Sequence, residues 1–241
     1  ERVVPWVPYL DIELTFRMDA LAAFMSLIVL GVGALVLAYC ARYFREHEPR
    51  NAVFGGQLLA FAGAMFGLVT TDDLMVLYTF WEITSVLSFL LIGYSGHRIF
   101  ARRSAITALI VTTFGGLAML AGLIMLAHFA GSWRISGVLE AAPALMADAG
   151  LRGLLEVAVA LVLIGALTKS AQAPFHFWLT GAMAAPTPVS AYLHAAAMVK
   201  AGVFLVARLA PEFHGLAMWQ VLVIGVKLPE VGRSVMREMR R

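Results

Sequence analysis

Glu82, Lys169 and Lys200 are ionisable residues set inside long apolar runs, and His194 stands six residues before Lys200. An ionised side chain at the middle of a bilayer costs several kcal/mol, so such groups mark ion or proton pathways. Burial disfavours the charged form of either a lysine or a glutamate, and an opposite charge nearby restores it. A lysine whose carboxylate neighbour approaches or retreats can therefore be loaded with a proton and made to release it. Moving one elementary charge against 100 mV is worth about 2.3 kcal/mol, within reach of changes of a few pH units in proton affinity.

The elements that must hold these groups are membrane helices. The chain has 241 residues, 61% hydrophobic and 14% charged, with mean hydropathy +0.84; soluble domains run nearer 45–50% apolar and about 25% charged. The net charge of +3 does not indicate nucleic acid, because most arginines fall in short loops where membrane topology explains them. The lone Cys40 excludes an internal disulfide. The opening Glu1-Arg2-Val3-Val4-Pro5 lacks the basic start and apolar core of a signal peptide.

A span needs about 20 apolar residues. The stretches that meet or approach this are Leu21–Ala41, Ala52–Thr70, Leu74–Tyr94, Ser104–Ala130, Leu154–Leu179 and Val189–Arg208. A shorter run, Leu216–Val226, is too short to cross alone. The expected fold is an all-α polytopic membrane protein with six to seven transmembrane helices. Residues 1–19 mix Pro5, Pro8, Asp11 and Glu13 with alternating aliphatics, which predicts a surface strand or hairpin. Residues 131–153 predict a linker with an interfacial helix over Val138–Ala149. Arg42, Arg45, Arg50 and Arg98, Arg102, Arg103 place their two loops in the cytoplasm, with residues 1–19 outside and the basic tail from Lys227 inside. Arg134, Arg152 and Arg208 fall on the outer side and weaken that bias.

Glu82 lies about 13 Å into its helix, near the bilayer centre. On one helix His194 and Lys200 point about 120° apart and face different neighbours or flank one channel. Pro174 follows Lys169 by five residues and should deprive the Ser170 carbonyl of its helical donor. Broken helices at membrane depth occur where protein or a watery cavity surrounds them, and they line ion sites in transporters. The residues alone leave a blander reading open, in which Glu82 and Lys169 are a structural ion pair, Lys200 snorkels to the interface and His194 only hydrogen-bonds in the bundle. His176 reads as packing near the break, and His47, His97 and His214 as loop or helix-end residues. Asp72 and Asp73 read as caps of the Leu74 helix, and Glu156 as a first-turn carboxylate suited to the dipole.

The stretch from Lys169 through Pro174-Phe-His-Phe-Trp178, then Ala185-Pro-Thr-Pro to His194 and Met198-Val-Lys200, together with Trp81-Glu82, resembles the antiporter-like subunits shared by Mrp-type multisubunit sodium/proton antiporters and respiratory complex I. Within that group it is most similar to the A-subunit class of the Mrp antiporters. The resemblance is strong over 54–208 and extends over 15–53. It implies a five-helix antiporter-like repeat over 51–208 containing the Pro174-broken helix, with 1–19 an extracytoplasmic segment, 20–50 a helix and basic loop, and 209–241 a partial helix and tail. It implies that Glu82 tunes Lys169, that Lys200 and His194 continue the proton route, and that Asp19 matches a family position without an assigned chemical role. It further implies one component of a secondary transporter, not an enzyme, without cofactor or metal, in a bacterial plasma membrane, exchanging protons for sodium or another monovalent cation together with partner subunits. The alternatives are a proton-pumping membrane-arm component of a complex I or hydrogenase-type assembly, and a membrane scaffold whose charges only fix helix register. Thr180 stands where the family usually has Pro, and Ala184 where an acidic residue is common. The ends are shorter than the family pattern, so a fragment of a larger subunit is expected.

Overall fold

The computed structural model describes residues 2–7, 12–43, 50–95, 99–183 and 185–224. Arg45, His47, His97, Arg98, Ala184 and the tail from Lys227 lie outside the described residues. The chain opens with an antiparallel hairpin, β1 (Arg2–Val7) and β2 (Ile12–Phe16), with a bulge between Pro5 and Val7. Long helices follow: α1 (Ala20–Tyr43), α2 (Arg50–Thr70), α3 (Leu74–Ile92) and α4 (Ile99–Ala130). Next come α5 (Ile135–Ala147), α6 (Arg152–Lys169) and the short α7 (Phe177–Ala182). A continuous path over Thr187–Phe213 consists of α8 (Thr187–Ser190), a wide π-type stretch (Ala191–Ala197) and α9 (Met198–Phe213). The short α10 (Ala217–Trp219) leads into a second wide stretch, Gln220–Ile224.

Among the described residues, 5 helices are long and apolar enough to cross a membrane. Their outer faces expose Leu27, Leu35, Ile110 and Phe114, as hydrocarbon-facing surfaces do. The interior forms around α6, whose buried face runs from Leu155 to Lys169. Small residues let its neighbours approach at backbone distance. A Cβ on Gly122 of α4 would lie 2.5 Å from the Ala158 carbonyl oxygen, and one on Gly202 of α9 would lie 2.1 Å from that of Ala166.

The hairpin is tied to the bundle through the α2–α3 turn. The Arg17 N–H donates to the Thr70 carbonyl (2.7 Å) and the Asp72 N–H to the Thr15 carbonyl (2.9 Å). Asp73 caps α3, its Oδ1 accepting from the N–H groups of Met75 and Val76 at 2.8 and 2.9 Å. Asp72, expected to cap the same helix, turns instead to α5, accepting from Ser136 N–H (3.1 Å) and Ser136 Oγ (2.5 Å). Burial of Asp73 raises its carboxyl pKa despite the two amide bonds.

Candidate functional site

Lys169 is the last residue of α6 and is 0% exposed. Its Nζ donates to the Trp81 carbonyl at 2.5 Å, Thr84 Oγ1 at 2.6 Å and Ser85 Oγ at 3.0 Å. An ammonium has three donors, so neutral oxygens of α3 take all of them. The Trp81 ring lies beneath the charge, its centroid 4.6 Å from Nζ, adding a cation–π attraction. The cradle follows from helical spacing. Residues 81, 84, 85 and 88 share one face, and Trp81, Thr84, Ser85 and Ser88 are all buried there. Thr84 and Ser85 pass their own hydroxyl hydrogens to the Trp81 carbonyl (2.7 and 3.2 Å), and Ser88 donates to the Ser85 carbonyl (2.8 Å).

Glu82 is one residue, about 100°, around the helix from Trp81, and its carboxylate sits against α4. A Cβ on Gly116 would lie 2.1 Å from Glu82 Oε1, and one on Gly115 would lie 1.8 Å from Thr168 Oγ1. This glycine pair therefore makes the notch that admits the carboxylate on one side and the end of α6 on the other. Glu82 Oε1 is buried without a hydrogen-bond partner among the described residues. The Glu82 and Lys169 charges act on one another, yet the ammonium is bonded to the hydroxyl face and not to the carboxylate.

The helix break lies earlier than Pro174. Ala171 takes a left-handed conformation, φ 50°. Its N–H donates to the Thr168 carbonyl (3.2 Å), and the Gln172 N–H donates to that of Leu167 (3.0 Å). That is the paired closure of a Schellman ending. The Trp178 indole Nε1–H reaches back from α7 to the same Thr168 carbonyl at 3.0 Å. Pro174 stands in the connection, joined to Ala173 by a cis bond. The Ser170 carbonyl, expected to be stranded by it, accepts from the Gln172 side-chain amide at 3.4 Å.

Ser170 points another way, donating through Oγ to the Val199 carbonyl at 2.9 Å. The residue after Lys169 is thus bonded to the residue before Lys200. Lys200 itself is half-buried, and among the described residues it makes no hydrogen bond or ion pair. Hence the structure brings Glu82 and Lys169 into one site, and among the described residues it joins Lys200 to neither by a hydrogen bond or ion pair. His194 falls in the wide stretch Ala191–Ala197, and its side chain lies outside the described residues. Two residues earlier, the Tyr192 hydroxyl donates to the Val29 carbonyl of α1 at 2.9 Å. A cavity of about 220 Å³ opens between α6 and α9, lined by Ser170, Gln172 and Gly202 among others. A cleft of about 600 Å³ lies between the start of α4 and α7, with Arg103, Ser104, Thr107 and Thr180 on its walls.

Sequence reasoning missed a second charge pair, buried on its arginine side. Arg208 of α9 is 8% exposed and its Nη1 contacts Asp19 Oδ2 directly. Asp19 Oδ1 accepts from the Ala22 N–H at 2.8 Å, capping α1. Burial works against the Asp19 charge, but the Ala22 amide and the Arg208 guanidinium outweigh it and hold the carboxyl below its usual pKa. The signal in the sequence was Arg208 itself, an arginine on the outer side that is committed to a carboxylate; the backbone of Arg134, by contrast, pairs with that of Asp73 at the start of α5. Thr84 and Ser85 were missed because hydroxyls inside an apolar helix carry no sequence signal of their own.

Residues 71–228 match the family described as NADH:quinone oxidoreductase/Mrp antiporter, transmembrane. Residues 6–54 match the N-terminal region of NADH-ubiquinone oxidoreductase (complex I) chain 5. The chain is 46% identical over 225 residues to the A subunit of the Na(+)/H(+) antiporter of Alkalihalophilus pseudofirmus, covering 93% of this chain and 28% of that protein. It is 49% identical over 216 residues to the A/B subunit of a probable K(+)/H(+) antiporter of Rhizobium meliloti, covering 90% and 21% respectively. Among solved structures, the Mrp complex from a Dietzia species matches with TM-score 0.85 and 40% identity, over 93% of this chain and 24% of that one. The chain therefore spans about a quarter of the length of the relatives it matches. It belongs to the NADH:quinone oxidoreductase/Mrp antiporter family and is a multi-pass membrane protein.

Proposed function

We propose that this chain forms the proton-handling unit of the A-type component of a multisubunit monovalent cation/proton antiporter, working in a bacterial plasma membrane beside partner subunits. The observation that carries the proposal is the state of the charges in the bundle: a fully buried Lys169 ammonium shared among neutral oxygens, with the Glu82 carboxylate nearby and no direct bond between them. A purely structural pair would be expected to close. Held apart, the two charges still influence each other, so a small movement of either changes how firmly Lys169 holds its proton. Lys169 is the residue that holds the proton, and Glu82 the carboxylate that tunes it. Lys200 of α9 and His194, in the wide stretch before it, continue the route. The unit responsible is the five-helix stretch over 51–208, with 1–19 an extracytoplasmic segment and 209–241 a partial helix and basic tail.

Relatives named for sodium and for potassium both match, so the exchanged ion is read as a monovalent cation, with sodium favoured by the A-subunit resemblance. The family also includes complex I subunits. Co-purification with iron–sulfur or quinone-reducing subunits would shift the reading to a redox-driven pump. The test uses everted membrane vesicles carrying the complete protein in its assembled complex, with proton movement read by a pH-sensitive dye after a cation pulse. Glu82→Ala, Lys169→Ala and Lys200→Ala should each abolish or severely cut the signal while the complex still assembles. Full activity in Lys169→Ala would reject the relay.

A further inference from the structure

We propose that Thr84 and Ser85 are positioning residues that let Lys169 exist in both of its protonation states without leaving α3. This rests on the relay reading above. The Trp81 carbonyl can only accept, so it can take an N–H from either form but cannot serve the lone pair of the neutral amine. A hydroxyl can do either. Thr84 Oγ1 and Ser85 Oγ accept from Lys169 Nζ at 2.6 and 3.0 Å while donating to the Trp81 carbonyl at 2.7 and 3.2 Å. That carbonyl is therefore the target of three donors, one more than its two lone pairs accommodate well. When Lys169 gives up its proton, either hydroxyl can swing its hydrogen from the carbonyl to the Nζ lone pair. The amine stays satisfied in a site where an unpaired polar group is costly.

The cradle also keeps the ammonium from collapsing onto Glu82, whose carboxylate has its own seat in the Gly116 notch. Among the described residues, Glu82 is the charged group acting on Lys169 from α3. Tyr78, one turn earlier, feels the Glu82 charge. Facing α6, α4 presents Gly115 and Met119 and α7 presents Trp178, none of them ionisable. On α9, Lys200 is not among the groups whose charge acts on Lys169.

The experiment is the pH profile of cation-driven proton movement in vesicles carrying the full assembled complex. It compares wild type, the double variant Thr84→Val with Ser85→Ala, and the double variant Thr84→Ser with Ser85→Thr. Without the hydroxyls the ammonium keeps one acceptor, so the alkaline limb should move to lower pH by about one unit. The hydroxyl-retaining double variant should follow the wild-type profile. If the first variant assembles poorly, the single changes Thr84→Val and Ser85→Ala should each give a smaller shift in the same direction. A profile that superimposes on wild type after scaling for amount would overturn the proposal, since lost packing alone lowers the rate without moving the limb. Lys169→Ala is run beside them: if it still transports, the relay itself is wrong, whereas a dead Lys169→Ala with an unmoved Thr84/Ser85 profile sinks the cradle alone.

Discussion

Two of the lysine- or arginine-to-carboxylate relationships among the described residues are built in opposite ways. At the start of α1, Arg208 meets Asp19 directly, and the same carboxylate also caps the helix. In the centre, Lys169 faces three neutral oxygens, and Glu82 Oε1 is buried with no partner among the described residues. A closed pair that also serves as a cap has little reason to open: breaking it strands a buried guanidinium and frays a helix. A separated pair is poised, because neither group is committed to the other. The same chemistry, base beside acid in a low-dielectric interior, thus gives a fastener in one place and, on the reading proposed above, a proton-holding site in the other. What separates them is the supply of alternative acceptors. Thr84 and Ser85 give the lysine somewhere else to go, whereas among the described residues the Arg208 Nη2 finds no acceptor.

The sharpest way to break this contrast is to make the same kind of change in both places. Lys169→Met should reduce proton movement per assembled complex on the order of a hundredfold or more. It should cost little stability, because the fully buried ammonium is bonded to neutral oxygens and not to Glu82, so its removal relieves its own desolvation without breaking a closed ion pair. Arg208→Met should do the reverse. Removing one partner of a buried pair costs about 3–5 kcal/mol; since the Asp19 side chain is 32% exposed, about 1–3 kcal/mol is the better expectation. Its transport per assembled complex should stay within about twofold of wild type. Vesicle assays and thermal unfolding of the same purified variants read both quantities. Normal transport with reduced stability in Lys169→Met would make the central site a fastener too, as a scaffold reading requires.

How much of this was legible beforehand differs between the two regions. Glu82 and Lys169 stand out in the sequence because a charge inside an apolar run is costly, and cost is a local property that one segment displays. Their relationship was not legible. Which side of α3 the ammonium uses depends on where α6 ends, and that is set by Ala171 turning left-handed, not by the more conspicuous Pro174. Alanine is a poor choice for that conformation, so nothing in the sequence announced it. The Gly115–Gly116 notch reads as generic small-residue packing until Glu82 and Thr168 are seen against it. Asp19 with Arg208, and Asp72 with Ser136, join residues far apart in the chain. Each looks like an ordinary helix-end residue by itself, and only the meeting of α1 with α9, and of the α2–α3 turn with the start of α5, makes them partners.

The fastener has a pH signature that the central site should lack. The Asp19 carboxyl is held below its usual pKa, so its folded state binds a proton less readily than the unfolded chain does. Such a group stabilises the fold above its unfolded pKa, near 3.8, and the contribution fades as pH falls through the lower folded value. The thermal midpoint of wild type should therefore drop more steeply than that of Asp19→Asn as pH is lowered below about 4. Parallel curves would mean that the pair contributes no ionisation-linked stability, and the distinction between the two regions would then rest on geometry alone.

The smallest expected effect concerns the backbone that separates the regions. Ala171 holds φ 50°, a left-handed conformation that costs a residue with a Cβ roughly 1 kcal/mol relative to glycine. Ala171→Gly should remove that strain while keeping the N–H bonds to Thr168 and Leu167 that close α6. Part of the gain is offset, because glycine also has more freedom to lose from the unfolded chain. The net change should be stabilising by about 0.5 kcal/mol, read as a slight rise in thermal midpoint. Since the helix would still end at Lys169 and the cradle would be untouched, the pH profile of transport should not move. If the profile does move, the end of α6 is an adjustable joint, and the position of the Lys169 ammonium depends on strain at Ala171 as well as on the hydroxyls of α3.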